Sequence, residues 1–105
     1  MFLSAEQIKD ACKGKYLVEP LDDTVYAASV KIDSRKVKVN DLFVAFDGEN
    51  VDGHDFIQAA LNLRASIIVC EKDLNDEVLA QAKDNAASVI KVESSLQALT
   101  DIAKL

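Results

Sequence analysis

Tryptophan is absent from this chain of 105 residues, histidine and proline occur once each, cysteine twice and glycine three times. Each scarcity removes a class of protein. With His54 as the only histidine, a histidine-based metal site or a Ser/His/Asp triad has almost no material. Three glycines and one proline exclude a flexible linker or a low-complexity segment. Cys12 and Cys70 lie too far apart for a zinc motif and are too few for a disulfide framework. Cys70 closes an apolar run and reads as a small buried hydrophobe. No apolar run approaches the length of a membrane span, and the opening stretch "MFLSAEQIKDACKGK" turns polar without the apolar core of a signal peptide. The expectation is a soluble cytoplasmic domain with no membrane partner.

What is present is hydrophobic residue, at 50%, enough for one compact domain and too short a chain for two. The net charge of −6 disfavours a nucleic-acid partner, because such proteins displace counterions with excess Lys and Arg. The charge is uneven. Lys31, Arg35, Lys36 and Lys38 face only Asp33 in residues 31–38, a local balance of +3 that can attract a small anion. A solvated loop accounts for the same charges.

Periodicity sets the element order. Ser4 and Gln7 form a capping box before Ala5, Ile8, Ala11 and Cys12, which repeat at helical spacing, with Gly14 as the stop. A short strand follows near Tyr16 to Val18, and "TVYAASVKI" reads as another. Leu42 to Phe46 is a continuous apolar run, as in a strand covered on both faces. Helical spacing resumes from Asp55 through Phe56, Ile57, Ala60 and Leu61. "SIIVC" (66–70) is a buried strand, 74–82 an amphipathic helix, "SVIKV" (88–92) a strand, and Ser94 with Gln97 a second capping box. From residue 42 the order is β-α-β-α-β-α, which predicts an α/β fold with a small mixed sheet flanked by helices. The last helical period runs to Leu105 without a stop signal, so the expectation is a piece of a longer protein.

Catalytic motifs are missing. There is no Gly-rich loop ending in Gly-Lys-Thr or Gly-Lys-Ser, no Gly-x-Ser-x-Gly elbow, and no carboxylate pair set apart as an acid/base couple. The chain reads as a binder, with no catalytic residue and no metal ligand. Asp33-Ser34-Arg35 offers a hydroxyl and a guanidinium fork to phosphate or sugar oxygens, but the spacing alone favours an ordinary Asp/Ser turn. Asn40 suits a left-handed backbone at the entry to the next strand. The loop from Asp47 to His54 carries Gly48 and Gly53, which let backbone approach a ligand, and leads into a helix start whose N–H groups could meet an anion. A plain connection capped by Asp52 or Asp55 is the alternative. The two loops flank one strand in the sequence, so they could share a ligand only if the first folds back along the sheet edge or if the ligand is long.

Taken together, "DSRKVKVNDLFVAFDGENVDGHDF" resembles the signature of the N-terminal domain of the Mur ligases of peptidoglycan synthesis: an Asp-Ser-Arg turn, a "DLFVA" strand, a Gly, and an Asp-Gly-His-Asp-Phe helix entry. The likeness runs from Ser29 to about Cys70 and more loosely over residues 1–105. The form of Asp52 to Ile57 is most similar to the MurF branch, which joins D-alanyl-D-alanine to UDP-N-acetylmuramoyl-tripeptide. The MurE branch, which adds the third amino acid, is the alternative, as is a stand-alone interaction module on the same fold. Two positions depart from the family pattern: Val39-Asn40 replaces its usual Pro-Gly, and Arg64-Ala65 its usual Gly-Ala. An Arg held at a left-handed angle would cost about 1 kcal/mol.

The resemblance implies a single domain that binds the UDP end of the muropeptide. Its partners would be that substrate and its own central and C-terminal domains, with ATP and Mg handled in the central one and no cofactor here. By motif position, Ser34 and Arg35 would face the UDP moiety. Gly48, Glu49, Asn50 and Val51 would line the uridine or diphosphate, and Asp52 and His54 would at least shape the loop.

Overall fold

A computed structural model describes residues 2–105. Its centre is a five-stranded mixed sheet, and its elements follow the apolar runs of the sequence. In chain order they are β1 (Leu3–Ser4), α1 (Ala5–Cys12), β2 (Lys15–Val18), β3 (Tyr26–Ala27), β4 (Val30–Lys31) and β5 (Leu42–Val44). Then come α2 (Ile57–Asn62), β6 (Ile67–Cys70), α3 (Asp76–Asp84), β7 (Ser88–Lys91) and α4 (Ser95–Ala103). Two 3-10 turns, Ser34–Lys36 and Gly53–Phe56, precede β5 and α2 respectively. The sheet order is β2-β7-β6-β5-β4. β4, β5, β6 and β7 are parallel, and β2 is antiparallel to β7 at one edge.

Alternation along the central strands supplies two cores. Phe43, Ile68, Cys70 and Val89 face α2 and α3, where they meet Ile57, Leu61 and Ala82. Leu42, Val44, Ile67, Val69 and Ile90 face α1 and α4, against Ile8, Cys12, Ala98 and Ile102. Each fully buried Ile or Leu contributes on the order of 2 kcal/mol by leaving water. The burial also raises the Cys70 thiol to about 12 and the Cys12 thiol to about 11, so neither is a thiolate nucleophile near neutral pH.

Helix starts behave as their side chains dictate. Gln7 N–H donates to Ser4 Oγ at 3.1 Å and Ser4 N–H donates to Gln7 Oε1 at 2.9 Å, completing the capping box. At α4 only half of the expected box forms. Gln97 N–H donates to Ser94 Oγ at 3.1 Å, but the Gln97 amide turns forward to Asp101 at 3.0 Å. The α1 stop also differs from expectation: Lys13, not Gly14, takes the left-handed angle, with φ 55°. "TVYAASVKI" is not one strand. β3 pairs with β1 in a separate two-stranded sheet, and the chain bends at Ala28–Ser29 before β4 joins the main sheet. Two- and three-residue matches to an apolar pattern cannot signal such a change of partner.

The amino ends of the parallel strands are held by unusual backbone. Asn40, Arg64 and Ala86 have φ of 68°, 70° and 59°, and Asn40 N–H donates to the Arg64 carbonyl at 3.0 Å. Beside them, Asp41 is only 3% exposed. It accepts from Ser29 Oγ at 2.6 Å, Lys31 Nζ at 2.9 Å and Lys38 N–H at 2.9 Å. Burial alone would raise its pKa, but these donors outweigh it and the net direction is downward. Lys31 is therefore committed to a structural carboxylate, and Arg35 to Asp33, so two of the four cations in residues 31–38 are paired within the chain.

A left-handed angle costs a non-glycine residue about 1–2 kcal/mol, while glycine adds back about 0.4–1 kcal/mol of unfolded-chain entropy. Ala86→Gly is thus expected to stabilise the fold by roughly 0.5–1 kcal/mol. Arg64→Gly should gain less, because it also loses the 3.1 Å hydrogen bond from Arg64 to Asn85. Urea denaturation measures both, and a loss of stability in Ala86→Gly would contradict the left-handed assignment.

Candidate functional site

Parallel pairing decides where the polar loops lie. Lys31 is level with Phe43, Val44 with Val69, and Val69 with Ile90, so the segments following β4, β5, β6 and β7 all leave from one edge of the sheet. That is the carboxyl edge, where open α/β sheets receive ligands. The Asp33-Ser34-Arg35 turn and the 47–54 loop are therefore neighbours on this edge. They are not at opposite ends of one strand, as a reading that begins at β5 supposes. The first loop follows a strand parallel to β5 and starts where β5 ends. Both 3-10 turns pack on α2.

Within the first turn, Ser34 is buried, with 8% exposure, and Arg35 is open, its side chain 87% exposed. Asp33 caps the turn by accepting from Arg35 N–H at 3.0 Å. It also holds the guanidinium by two bonds, from Nε at 3.0 Å and Nη2 at 2.8 Å. The Arg35 fork beside it holds the Asp33 carboxyl down to about 2. The pairing leaves the Nη1 side of Arg35 turned away from Asp33.

The second loop closes on itself. Asp47 and Asp52 form an antiparallel bridge at its base, Gly48 N–H donates to Val51 O at 3.1 Å, and Gly53 N–H donates to Phe46 O at 2.6 Å. A Cβ on Gly48 would lie 2.8 Å from Val51 O, and one on Gly53 2.8 Å from both Phe46 N and Phe46 O. Both glycines thus serve the loop's own close approaches. The helix-start donors are likewise occupied: His54 N–H donates to Asp52 Oδ1 at 2.9 Å and Asp55 N–H to Asp52 O at 3.0 Å. What the loop presents outward is its tip, Gly48, Glu49, Asn50 and Val51, all exposed.

Asp52 and His54 anchor the tip. The Glu71 N–H donates to His54 Nε2 at 2.9 Å, so that nitrogen is an acceptor and the proton sits on Nδ1, which donates to Asp52 Oδ1 at 2.7 Å. His54 is thereby a buried connector, its side chain 6% exposed. Lys72 donates to Asp52 Oδ2 and lies 3.3 Å from Asp47 Oδ2. The Lys72 ammonium, followed by the His54 N–H, pushes the Asp52 carboxyl well below the usual carboxylate range, and Asp52 in turn raises Lys72. Ser95 Oγ–H donates to Ala45 O at 2.6 Å and ties the start of α4 to the same edge. Lys72 and Ser95 escaped the sequence reading. The signal for them was positional: each follows a buried parallel strand, so each had to emerge on the loop edge.

The edge is an open shelf. Surface concavities of about 440, 300 and 430 Å³ lie elsewhere, beside residues 19–25, at the amino ends of the strands, and between α1 and α4. None of the three includes Ser34, Arg35 or residues 48–54. Among the described residues, no group of three or more His, Cys, Asp or Glu side chains is placed to hold a metal ion, and no helix is long and apolar enough to cross a membrane. An exposed backbone tip, a buried hydroxyl and a half-engaged guanidinium can receive an extended polar ligand bearing anionic oxygens.

Comparison with known proteins shows what the chain is similar to. The family described as "Mur ligase family, catalytic domain" matches residues 27–105. The UDP-N-acetylmuramoyl-L-alanyl-D-glutamate–2,6-diaminopimelate ligase of Clostridium botulinum is 47% identical over 70 residues, which is 67% of this chain and 14% of that protein. Among solved structures, MurF from Acinetobacter baumannii superposes with a TM-score of 0.77 at 20% identity, covering 97% of this chain and 20% of that one. MurF from Thermotoga maritima in complex with ADP gives 0.59 at 33% identity, covering 72% and 16%. The chain spans about one seventh of the length of the curated relative it matches.

Carboxylates whose pKa is depressed by folding stabilise the folded state above the ordinary value, and that contribution is lost as pH falls through the folded value. NMR titration of the side-chain carboxyls should therefore place Asp33 at about 2 and Asp52 below the ordinary range. Stability should decline as pH drops below about 4. A midpoint near the ordinary aspartate value for either group would mean that its pairing does not form in solution.

Proposed function

The chain belongs to the Mur ligase family, and from that premise we propose that it is the domain that holds the UDP end of the muropeptide in a ligase of the MurE type. The substrate is then UDP-N-acetylmuramoyl-L-alanyl-D-glutamate, to which a third amino acid is joined. The observation that carries the choice of branch is the name shared by the relatives that match in sequence. Relatives that align in sequence over most of this chain are diaminopimelate ligases, 47% identical in Clostridium botulinum and 39% in Haemophilus influenzae, whereas the MurF proteins enter through likeness of structure, at 20% and 33% identity. The helix-entry motif alone favoured MurF, but six residues weigh less than seventy aligned ones. MurF stands as the second reading because the Thermotoga maritima protein is 33% identical over 72% of this chain.

In this reading Ser34 and Arg35 bind the diphosphate or uridine from one side of the shelf, and the tip at residues 48–51 lines the other through backbone groups. Arg35 reaches the ligand with the edge that Asp33 leaves open, while Asp33 keeps the guanidinium from wandering. Binding here orients the substrate and performs no bond-making step. No phosphate-binding glycine loop occurs in the sequence, and among the described residues no group of three or more His, Cys, Asp or Glu side chains is placed for a cation, so in this reading ATP and magnesium are handled elsewhere. That chemistry, which activates the peptide carboxylate, belongs to the central domain of the whole ligase, the part for which this domain is a partner.

Titrating the chain with UDP should move the amide signals of Ser34, Arg35 and residues 48–51; shifts scattered over other elements would count against the site. In the whole ligase, Arg35→Ala should raise the KM for the muropeptide about tenfold with little change in kcat, as for a contact made equally in ground and transition states. Turnover with the UDP-muramoyl dipeptide and a third amino acid supports the MurE reading. Turnover only with the tripeptide and D-alanyl-D-alanine would replace it by MurF.

A further inference from the structure

The 47–52 loop contains an electrostatic problem that its own residues do not solve. Asp47 and Asp52 are direct cross-strand partners at its base, and like charges placed opposite one another oppose pairing. The single cation within reach of both, among the described residues, is Lys72, which contacts Asp52 Oδ2 and lies 3.3 Å from Asp47 Oδ2. Its neighbour Glu71 supplies the backbone N–H that fixes His54, which in turn fixes the other oxygen of Asp52. Two adjacent residues at the end of β6 thus grip the base of the loop by two routes. The tip itself is closed by one backbone hydrogen bond, Gly48 N–H to Val51 O at 3.1 Å, and is otherwise open: Val51 is 58% exposed, and Glu49 and Asn50 are exposed as well. The tip's shape therefore depends on its base.

We propose that Lys72 is a positioning residue for nucleotide-sugar binding: by bridging Asp47 and Asp52 it holds the 48–51 tip in the conformation that receives the ligand. The proposal rests on the reading of the shelf as the UDP site. It differs from that reading in assigning a role to a residue of the β6–α3 connection, which acts through two carboxylates instead of touching the ligand. Lys72 is half-exposed and outside both apolar cores, so its removal leaves the fold intact. Pre-organising a loop raises affinity by removing the cost of ordering it on binding.

The test uses this chain in four forms: wild type, Lys72→Met, Lys72→Arg and the double variant Lys72→Met with Asp47→Asn. Two readouts are taken, amide hydrogen exchange and UDP affinity by titration. Lys72→Met should speed exchange at Gly48, Gly53 and His54 by at least about tenfold while leaving the amides of β6 and β7 unchanged, and should weaken UDP binding about tenfold. Lys72→Arg should restore both. Asp47→Asn in the Lys72→Met background removes the repulsion without restoring a cation, and should recover most of the affinity. Unchanged exchange in Lys72→Met overturns the proposal. A double variant no better than Lys72→Met also overturns it, since that pattern means Lys72 touches the ligand itself. Exchange judges the clamp without any ligand, so failure of the wild type to bind UDP would overturn the reading of the shelf separately.

Discussion

The rest of this structure depends on strands β5, β6 and β7 being covered on both faces. A strand with apolar side chains pointing both ways needs helices above and below it. A chain that lays a helix between successive strands on one face must run those strands in the same direction. Parallel pairing then sends every strand-to-helix connection out at the same edge. The polar loops share a shelf for that reason alone, with no special feature in either loop. The same rule collects Glu71, Lys72 and Ser95 on that edge from segments that carry no motif.

Polar groups on the shelf are divided between holding the chain and meeting a ligand, and the division is uneven. Asp52 spends both oxygens on the protein, one on His54 and one on Lys72, and His54 spends both ring nitrogens. Asp33 takes two of the three guanidinium nitrogens of Arg35. What remains turned outward is small: one edge of Arg35, the surroundings of Ser34, and the tip at residues 48–51. For an extended nucleotide sugar this is an economical arrangement, because a few outward groups held in a fixed geometry lose little freedom on binding. It also explains why the loop's two glycines are internal necessities, since a loop this tight leaves no room for a Cβ at either position.

Much of the fold was legible beforehand. The apolar runs at 42–46, 66–70 and 88–92, the helical spacings between them, and the capping signals at Ser4 and Ser94 all lead to the elements found there. The left-handed angle of Asn40 follows from its place before a strand, and the departure at Arg64 marked a second. Illegible were the features that depend on partners distant in sequence. The split of "TVYAASVKI" reflects β3 pairing with β1, and the move of the α1 stop to Lys13 reflects local packing against β7. The count of charges at 31–38 could not show that Lys31 finds Asp41 and Arg35 finds Asp33. The loops at 33–36 and 47–54 were recognised as candidates from their order, but their shared edge needed the direction of β4.

By itself the sequence determined the class of the fold, the positions of its buried strands, and the family to which the chain belongs, because hydrophobic period and motif order are local quantities read along the chain. Tertiary structure alone decided which side chains face one another: that Lys72 bridges Asp47 and Asp52, that His54 is a buried connector with its proton on Nδ1, and that the loops before and after β5 form one surface. Those facts depend on through-space distance and strand direction, which no stretch of residues encodes in its own composition.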